Sequence, residues 1–151
     1  MSIFIFIFQL IEISTWCFHK QMVQQFYSSD NLYLITVGET AKENDTIRQK
    51  ASQSDLWFHL DEAASPHVIL SSLEGSTTTP NFSTQAIYQA ASLCKAYSKQ
   101  KSSQMSTVMY CPRKGVKGIV DIDGRVEVKG HVERIKVYRD DTIKESLTKK
   151  K

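Results

Sequence analysis

Between Asp55 and Leu70 the chain reads Asp-Leu-Trp-Phe-His-Leu-Asp-Glu-Ala-Ala-Ser-Pro-His-Val-Ile-Leu, two apolar runs of strand length joined by a short turn. Side chains on a strand alternate between its faces, so Leu56, Phe58 and Leu60 share one side while Trp57, His59 and Asp61 share the other. After the turn from Glu62 to Pro66, Val68 and Leu70 continue the first side. A sheet with at least one apolar face therefore sits at the centre of whatever this chain folds into.

The remaining segments fit around that sheet. Val23 to Tyr27 and Leu32 to Val37 alternate in the same way, and Ser28-Ser29-Asp30-Asn31 between them is rich in turn formers, which predicts a hairpin. Gly38 ends the second strand, and Thr40 with Glu43 forms a capping box that starts a helix expected to reach Gln53. Only Ile47 and Ala51 give that helix an apolar stripe, so it is expected on the surface. Ser71 to Thr79 reads as a loop, and Pro80 leads into a second helix whose Ala86, Ala90, Leu93 and Tyr97 make one buried stripe. Lys95 and Lys99 are expected on its opposite, solvent side. Thr107 to Cys111, Gly118 to Ile122, Arg125 to Lys129 and Val132 to Tyr138 suit short strands, and Asp123-Gly124 is the dipeptide a tight hairpin turn needs. Residues 140–151 are polar and basic, expected to be frayed or a stub of helix. Strands and helices mixed without βαβ alternation predict an α+β fold, a single domain with a largely antiparallel sheet and two main helices. A length of 151 residues, 41% of them hydrophobic, is enough for one core.

Charge is divided along the chain. Residues 1–93 hold four basic against nine acidic side chains, a balance of −5, whereas residues 94–151 hold fifteen against seven, a balance of +8. Between Glu74 and Asp121 there is no acid, while Lys95, Lys99, Lys101, Arg113, Lys114 and Lys117 accumulate. If folding gathers these six, they form a cationic patch for phosphate; the alternative is an ordinary solvated face. Cys17, Cys94 and Cys111 lack the spacing of a zinc site or a disulfide framework and point to a reducing, cytoplasmic setting, with Cys94 and Cys111 as small buried hydrophobes. Residues 2–13 are mostly Ile and Phe, too short to span a bilayer and without signal-peptide features. Residues 1–21 are read as an extension before a functional start at Met22, with an edge strand or a membrane anchor as alternatives.

The chain resembles the NFACT-R (NFACT RNA-binding) domain family, closest to its short stand-alone branch of eukaryotic coiled-coil domain-containing proteins. The likeness is carried by Gly38, Asn44-Asp45, the run from Asp55 to Asp61, Ser65-Pro66-His67-Val68, the helix end from Leu93 to Ser98, and the strand and basic turn from Val108 to Lys117. It covers Met22 to Tyr138. Glu39, Ala41 and Pro66 depart from the family pattern, and the charged coiled-coil tail is absent or cut short. The resemblance implies nucleic-acid binding, above all RNA such as tRNA or rRNA on the large ribosomal subunit, in ribosome-associated quality control. It implies no established enzymatic activity, and no cofactor or metal is expected. DNA is a further candidate ligand. A protein-interaction adaptor, or a membrane-associated DNA sensor anchored by residues 2–13, are readings of other classes.

Other chemistry is sparse. His59, Asp61 and His67 are zinc-ligand types, but strand alternation does not make three of them converge, and histidines that pin a turn are commoner. No nucleophile elbow or glycine-rich phosphate loop is present. Trp57 could stack on a base if its face is open, or cover the sheet as a core residue. The expected contact residues are thus Lys95, Lys99, Lys101, Arg113, Lys114 and Lys117, with Trp57, His59 and His67 as structural or secondary positions.

Overall fold

The computed structural model describes residues 23–74 and 80–151. The extension at residues 1–21 and most of the Ser71 to Thr79 loop fall outside the described residues. Strand β1 (Gln24–Tyr27) and β2 (Tyr33–Gly38) form the expected hairpin. Asn31, at φ 59°, makes its turn, and the Asp30 carboxylate accepts from the Ser28 hydroxyl and the Leu32 N–H. Helix α1 (Ala41–Lys50) starts at the predicted capping box, with Thr40 Oγ1 accepting from the Glu43 N–H and the Glu43 carboxylate accepting from the Thr40 N–H. It stops short of Gln53 because Ala51 is already extended and the Asp55 carboxylate closes a turn by accepting from the Ser52 N–H.

Strands β3 (Leu56–Leu60) and β4 (His67–Ser72) pair antiparallel around the positive-φ residue Glu62, and Ser65 Oγ accepts from the Leu60 N–H inside that turn. Helix α2 (Thr84–Ala96), capped by Ser83, lies on the face carrying Phe58, Leu60, Val68 and Leu70. The chain returns through β5 (Met105–Pro112), a 3-10 turn (Arg113–Gly115), the hairpin β6 (Val116–Ile119) and β7 (Ile122–Val128), then β8 (Glu133–Tyr138) and the short helix α3 (Ile143–Ser146). The six-stranded sheet has the order β1-β2-β4-β3-β5-β8, every neighbour antiparallel, and β6–β7 forms a separate ribbon. This is the α+β fold the sequence predicts.

Both faces of the sheet are covered. Helix α2 buries Ala86, Ala90, Leu93 and Cys94 against Phe26, Ile35, Phe58 and Val108. On the other face Ile47 of α1 and Val116 of the ribbon close over Trp57, Ile69 and Cys111. Helix α1 lies at the surface, with Lys42, Gln49 and Lys50 exposed, but it buries more than its thin apolar stripe suggests: Asn44 and Arg48 are covered along with Ile47 because the β6–β7 ribbon packs beside it.

One expectation near the end of the chain needs correction. The hairpin reversal falls at Val120-Asp121, where Asp121 has φ 64° and Ile119 faces Ile122, rather than at Asp123-Gly124. The register jumps from Gly118 opposite Val126 to Ile119 opposite Ile122, so Asp123, Gly124 and Arg125 bulge out. Gly124 has φ 74°, and a Cβ built there would meet the Ala41 Cβ at 2.8 Å, so glycine is needed twice over. The tail is the expected stub of helix, α3, and it is docked rather than frayed. Ile143 and Leu147 enter the core, Tyr27 N–H donates to the Thr148 carbonyl, and Lys150 N–H donates to the Gln25 carbonyl, which closes the β1 edge.

Candidate nucleic-acid interface

Gly38, Asn44-Asp45, Trp57, His59 and His67, part of the set that carries the sequence likeness, meet under α1. The Asn44 side-chain oxygen accepts from the His67 N–H at 3.1 Å, and Gly38 leaves room for it, since a Cβ there would lie 2.6 Å from that same oxygen. Asp45 holds two partners: it pairs with Arg48 at 3.3 Å and accepts from the Gly124 N–H at 2.8 Å, tying the ribbon's bulge to the helix. Arg48 in turn lies against Gly118, where a Cβ would sit 2.4 Å from its Nη2. Together these groups clamp α1 and the β6–β7 ribbon onto the sheet.

Trp57 is wholly buried, 0% exposed, which removes it as a base-stacking platform. Its ring stacks on His59 at 5.6 Å and meets the edge of His67 at 5.2 Å. Burial is the main reason the His67 pKa falls to about 4, with His59 and Arg48 pushing the same way and Asp45 opposing. Burial also lowers His59, although its Nδ1–H donates to the Leu60 carbonyl at 2.7 Å. Asp61 leaves this group to accept from Arg134 at 2.9 Å. Among the described residues no three His, Cys, Asp or Glu side chains are placed to hold a metal. Among the described residues Cys94 and Cys111 form no disulfide and are buried, and burial raises both thiols, Cys94 to about 12.

The six basic residues do not form one patch. Lys95 is buried, 2% exposed, and its Nζ donates to the carbonyls of Gln100 (2.9 Å), Lys101 (3.1 Å) and Ser103 (2.7 Å). Its charge closes the loop after α2, with all three ammonium hydrogens used. Lys99 and Lys101 are exposed in that loop, before the start of β5. Arg113, Lys114 and Lys117 follow its far end, about 25 Å away at ~3.3 Å per residue. A single strand thus separates the two groups.

The second group has company that the sequence reading missed. Arg113 Nε donates to the Arg48 carbonyl at 2.8 Å, and the N–H groups of Arg113 and Lys114 donate to the carbonyls of Asp55 and Gln53. These bonds bring the 3-10 turn to the last turn of α1, which carries exposed Lys50. Lys50 also lines a groove with Lys149, Lys150 and Lys151, because the docked tail lies across β1. The result is a basic band from the ribbon, through Arg113, Lys114 and Lys50, to the tail. Acids border it: Glu127 faces Lys117 and pairs loosely with Lys129, exposed Asp121 and Asp123 lie at the far tip of the ribbon, and Asp55 is bonded to Ser52 and Ser71. The tail's role was signalled by Ile143 and Leu147, two apolar residues one helical turn apart in an otherwise polar stretch.

Residues 22–130 match the profile of the NFACT protein RNA binding domain. The chain belongs to that family. This makes the NFACT-R chain a nucleic-acid-binding module by membership. Coiled-coil domain-containing protein 25 of Mus musculus and of Bos taurus are each 30% identical to it over 106 residues, 68% of this chain. The chain spans half the length of these curated relatives. Its fold is that of the C-terminal region of the fibronectin/fibrinogen-binding protein from Streptococcus suis, at a TM-score of 0.74 and 23% identity, over 85% of this chain and 50% of that one. Among the described residues no helix is long and apolar enough to cross a membrane.

Proposed function

We propose that this NFACT-R chain is a non-catalytic, cytoplasmic module that binds structured RNA, tRNA or rRNA, in translation-coupled quality control. Family membership supports RNA as the partner class. The observation that carries the site is the bond from Arg113 to the Arg48 carbonyl, which joins the basic 3-10 turn to Lys50 and so to the tail lysines. Such a band neutralises phosphates and releases counterions, giving affinity that is steeply salt-dependent and weakly selective for sequence.

The test is a binding titration with tRNA and duplex DNA across a range of salt concentrations. Lys114→Glu with Lys117→Glu should weaken RNA binding and flatten the plot of log affinity against log salt by about 0.7 per lost phosphate contact on single-stranded segments. Lys99→Glu with Lys101→Glu, at the other end of β5, should change neither. If the second pair matters and the first does not, the band is the wrong surface. Equal affinity for duplex DNA would remove the preference for RNA.

A further inference from the structure

We propose that the groove between the last turn of α1, the β1-β2-β4 side of the sheet and the C-terminal tail binds one unpaired nucleotide of the RNA, an inference that rests on the function proposed above. The groove has a volume of about 690 Å³, within the range that holds a small organic ligand. Its chemistry is of three kinds in one place. Lys50 and Lys149 to Lys151 supply cations, Val23, Ile47, Ala51 and Ile69 supply aliphatic surface, and Gln25, Thr36 and Ser71 supply hydrogen-bonding groups.

A nucleotide needs all three. A lone inorganic phosphate would engage the lysines and leave the aliphatic surface unused, whereas a purely apolar ligand would leave ammonium groups facing hydrocarbon. A base has a flat apolar face for the half-buried Val23 and Ala51, under which Ile47 and Ile69 form a closed floor, and a polar edge for the side chains between the strands. Gln25 Nε2 donates to Thr36 Oγ1 at 3.2 Å, which leaves the Gln25 carbonyl oxygen, its second N–H and the Thr36 hydroxyl hydrogen for that edge. Asp55, also in the groove, has its Oδ2 bonded to Ser52 and Ser71; its negative charge directs the phosphate to the lysine side. A base locked in a duplex cannot present its face to the groove, so the nucleotide must be an overhang, a loop or an end. The groove is continuous with the basic band through Lys50, so a duplex on the band could place its single-stranded end here.

Titrating the full chain, with the Val23 and Ala51 methyl groups followed by NMR, tests this. At least one of the four nucleoside 5′-monophosphates should move both methyl resonances and bind about tenfold more tightly than inorganic phosphate, the contribution expected from covering one apolar face. Phosphate binding as tightly as every nucleotide, or an acidic peptide binding more tightly than any, overturns the inference. Ala51→Phe fills the groove and should weaken a hairpin RNA with a 3′ overhang about tenfold while leaving the blunt hairpin unaffected. Should that variant fail to fold, Lys50→Gln combined with Lys149→Gln tests the cationic side without touching the core, and should reduce mononucleotide binding. Unchanged mononucleotide binding would count against the groove. If blunt hairpin RNA binds the wild-type chain but the overhang adds nothing, the groove fails and the band stands. If neither RNA binds, the band fails as well.

Discussion

The two faces of the central sheet are covered by different chemistry. Under α2 the contacts are aliphatic and aromatic, with Phe58 stacked on Tyr110 at 5.3 Å and Leu60, Val108 and Leu93 fully buried around them. Under α1 and the β6–β7 ribbon, Ile47, Ile69 and Val116 are joined by Trp57, two imidazoles, a carboxylate, an amide and a guanidinium, and Trp57 Nε1, His67 Nδ1 and Arg48 Nε are buried without a hydrogen-bond partner among the described residues. The first face supplies stability. The second is a docking joint, in which polar groups fix the position of the ribbon and helix end that carry the basic band. Buried polar groups make such a joint specific in geometry but more sensitive to conditions than an aliphatic core.

The largest test of this contrast is Phe58→Ala, which should cost about 3–5 kcal/mol in denaturant unfolding, because it opens a cavity in the aliphatic face. Acid should instead act on the other face. A histidine whose folded pKa is depressed binds a proton more readily when unfolded, so stability falls as pH drops below 6.5 and levels off near 4, the folded value of His67. That loss should be roughly 3 kcal/mol, and His67→Gln should flatten the pH dependence. If the slope survives the substitution, the joint is not where protonation acts.

A smaller effect is expected from Asp45→Ala, which releases both Arg48 and the Gly124 N–H. Stability should fall by about 1–3 kcal/mol. Amide exchange should quicken in β6 and β7 while α2 stays protected. Uniform quickening would mean that the ribbon is not a separable unit. Least of all should come from Lys99→Glu with Lys101→Glu, a change within about 0.5 kcal/mol at exposed positions, whereas Lys95→Met nearby should be plainly destabilising in the same thermal melt.

Local pattern made much of this fold readable. The capping box at Thr40 and Glu43, the alternation from Leu56 to Leu60 and the apolar spacing from Ala86 to Leu93 are decided within a few residues, and each appears where those residues place it. The site was harder to read because it depends on how far apart the elements end up. Charge counting put Lys101 and Arg113 in one acid-free span, but an extended strand of eight residues lies between them. Lys95 has the composition of a surface residue and the position of a buried one, because three loop carbonyls replace its water. Asp123-Gly124 carries a strong turn signal, yet its positive-φ glycine serves the contact with Ala41 and Asp45, a tertiary demand with no local signature.

The three carbonyls around Lys95 also give the molecule a built-in reporter. An ammonium group enclosed in that way cannot be reached by an amine-reactive reagent, or by an acetyltransferase, while Lys99 and Lys101 a few residues on remain open to both. The ratio of labelling at these neighbouring lysines therefore records, molecule by molecule, whether the loop between α2 and β5 is closed.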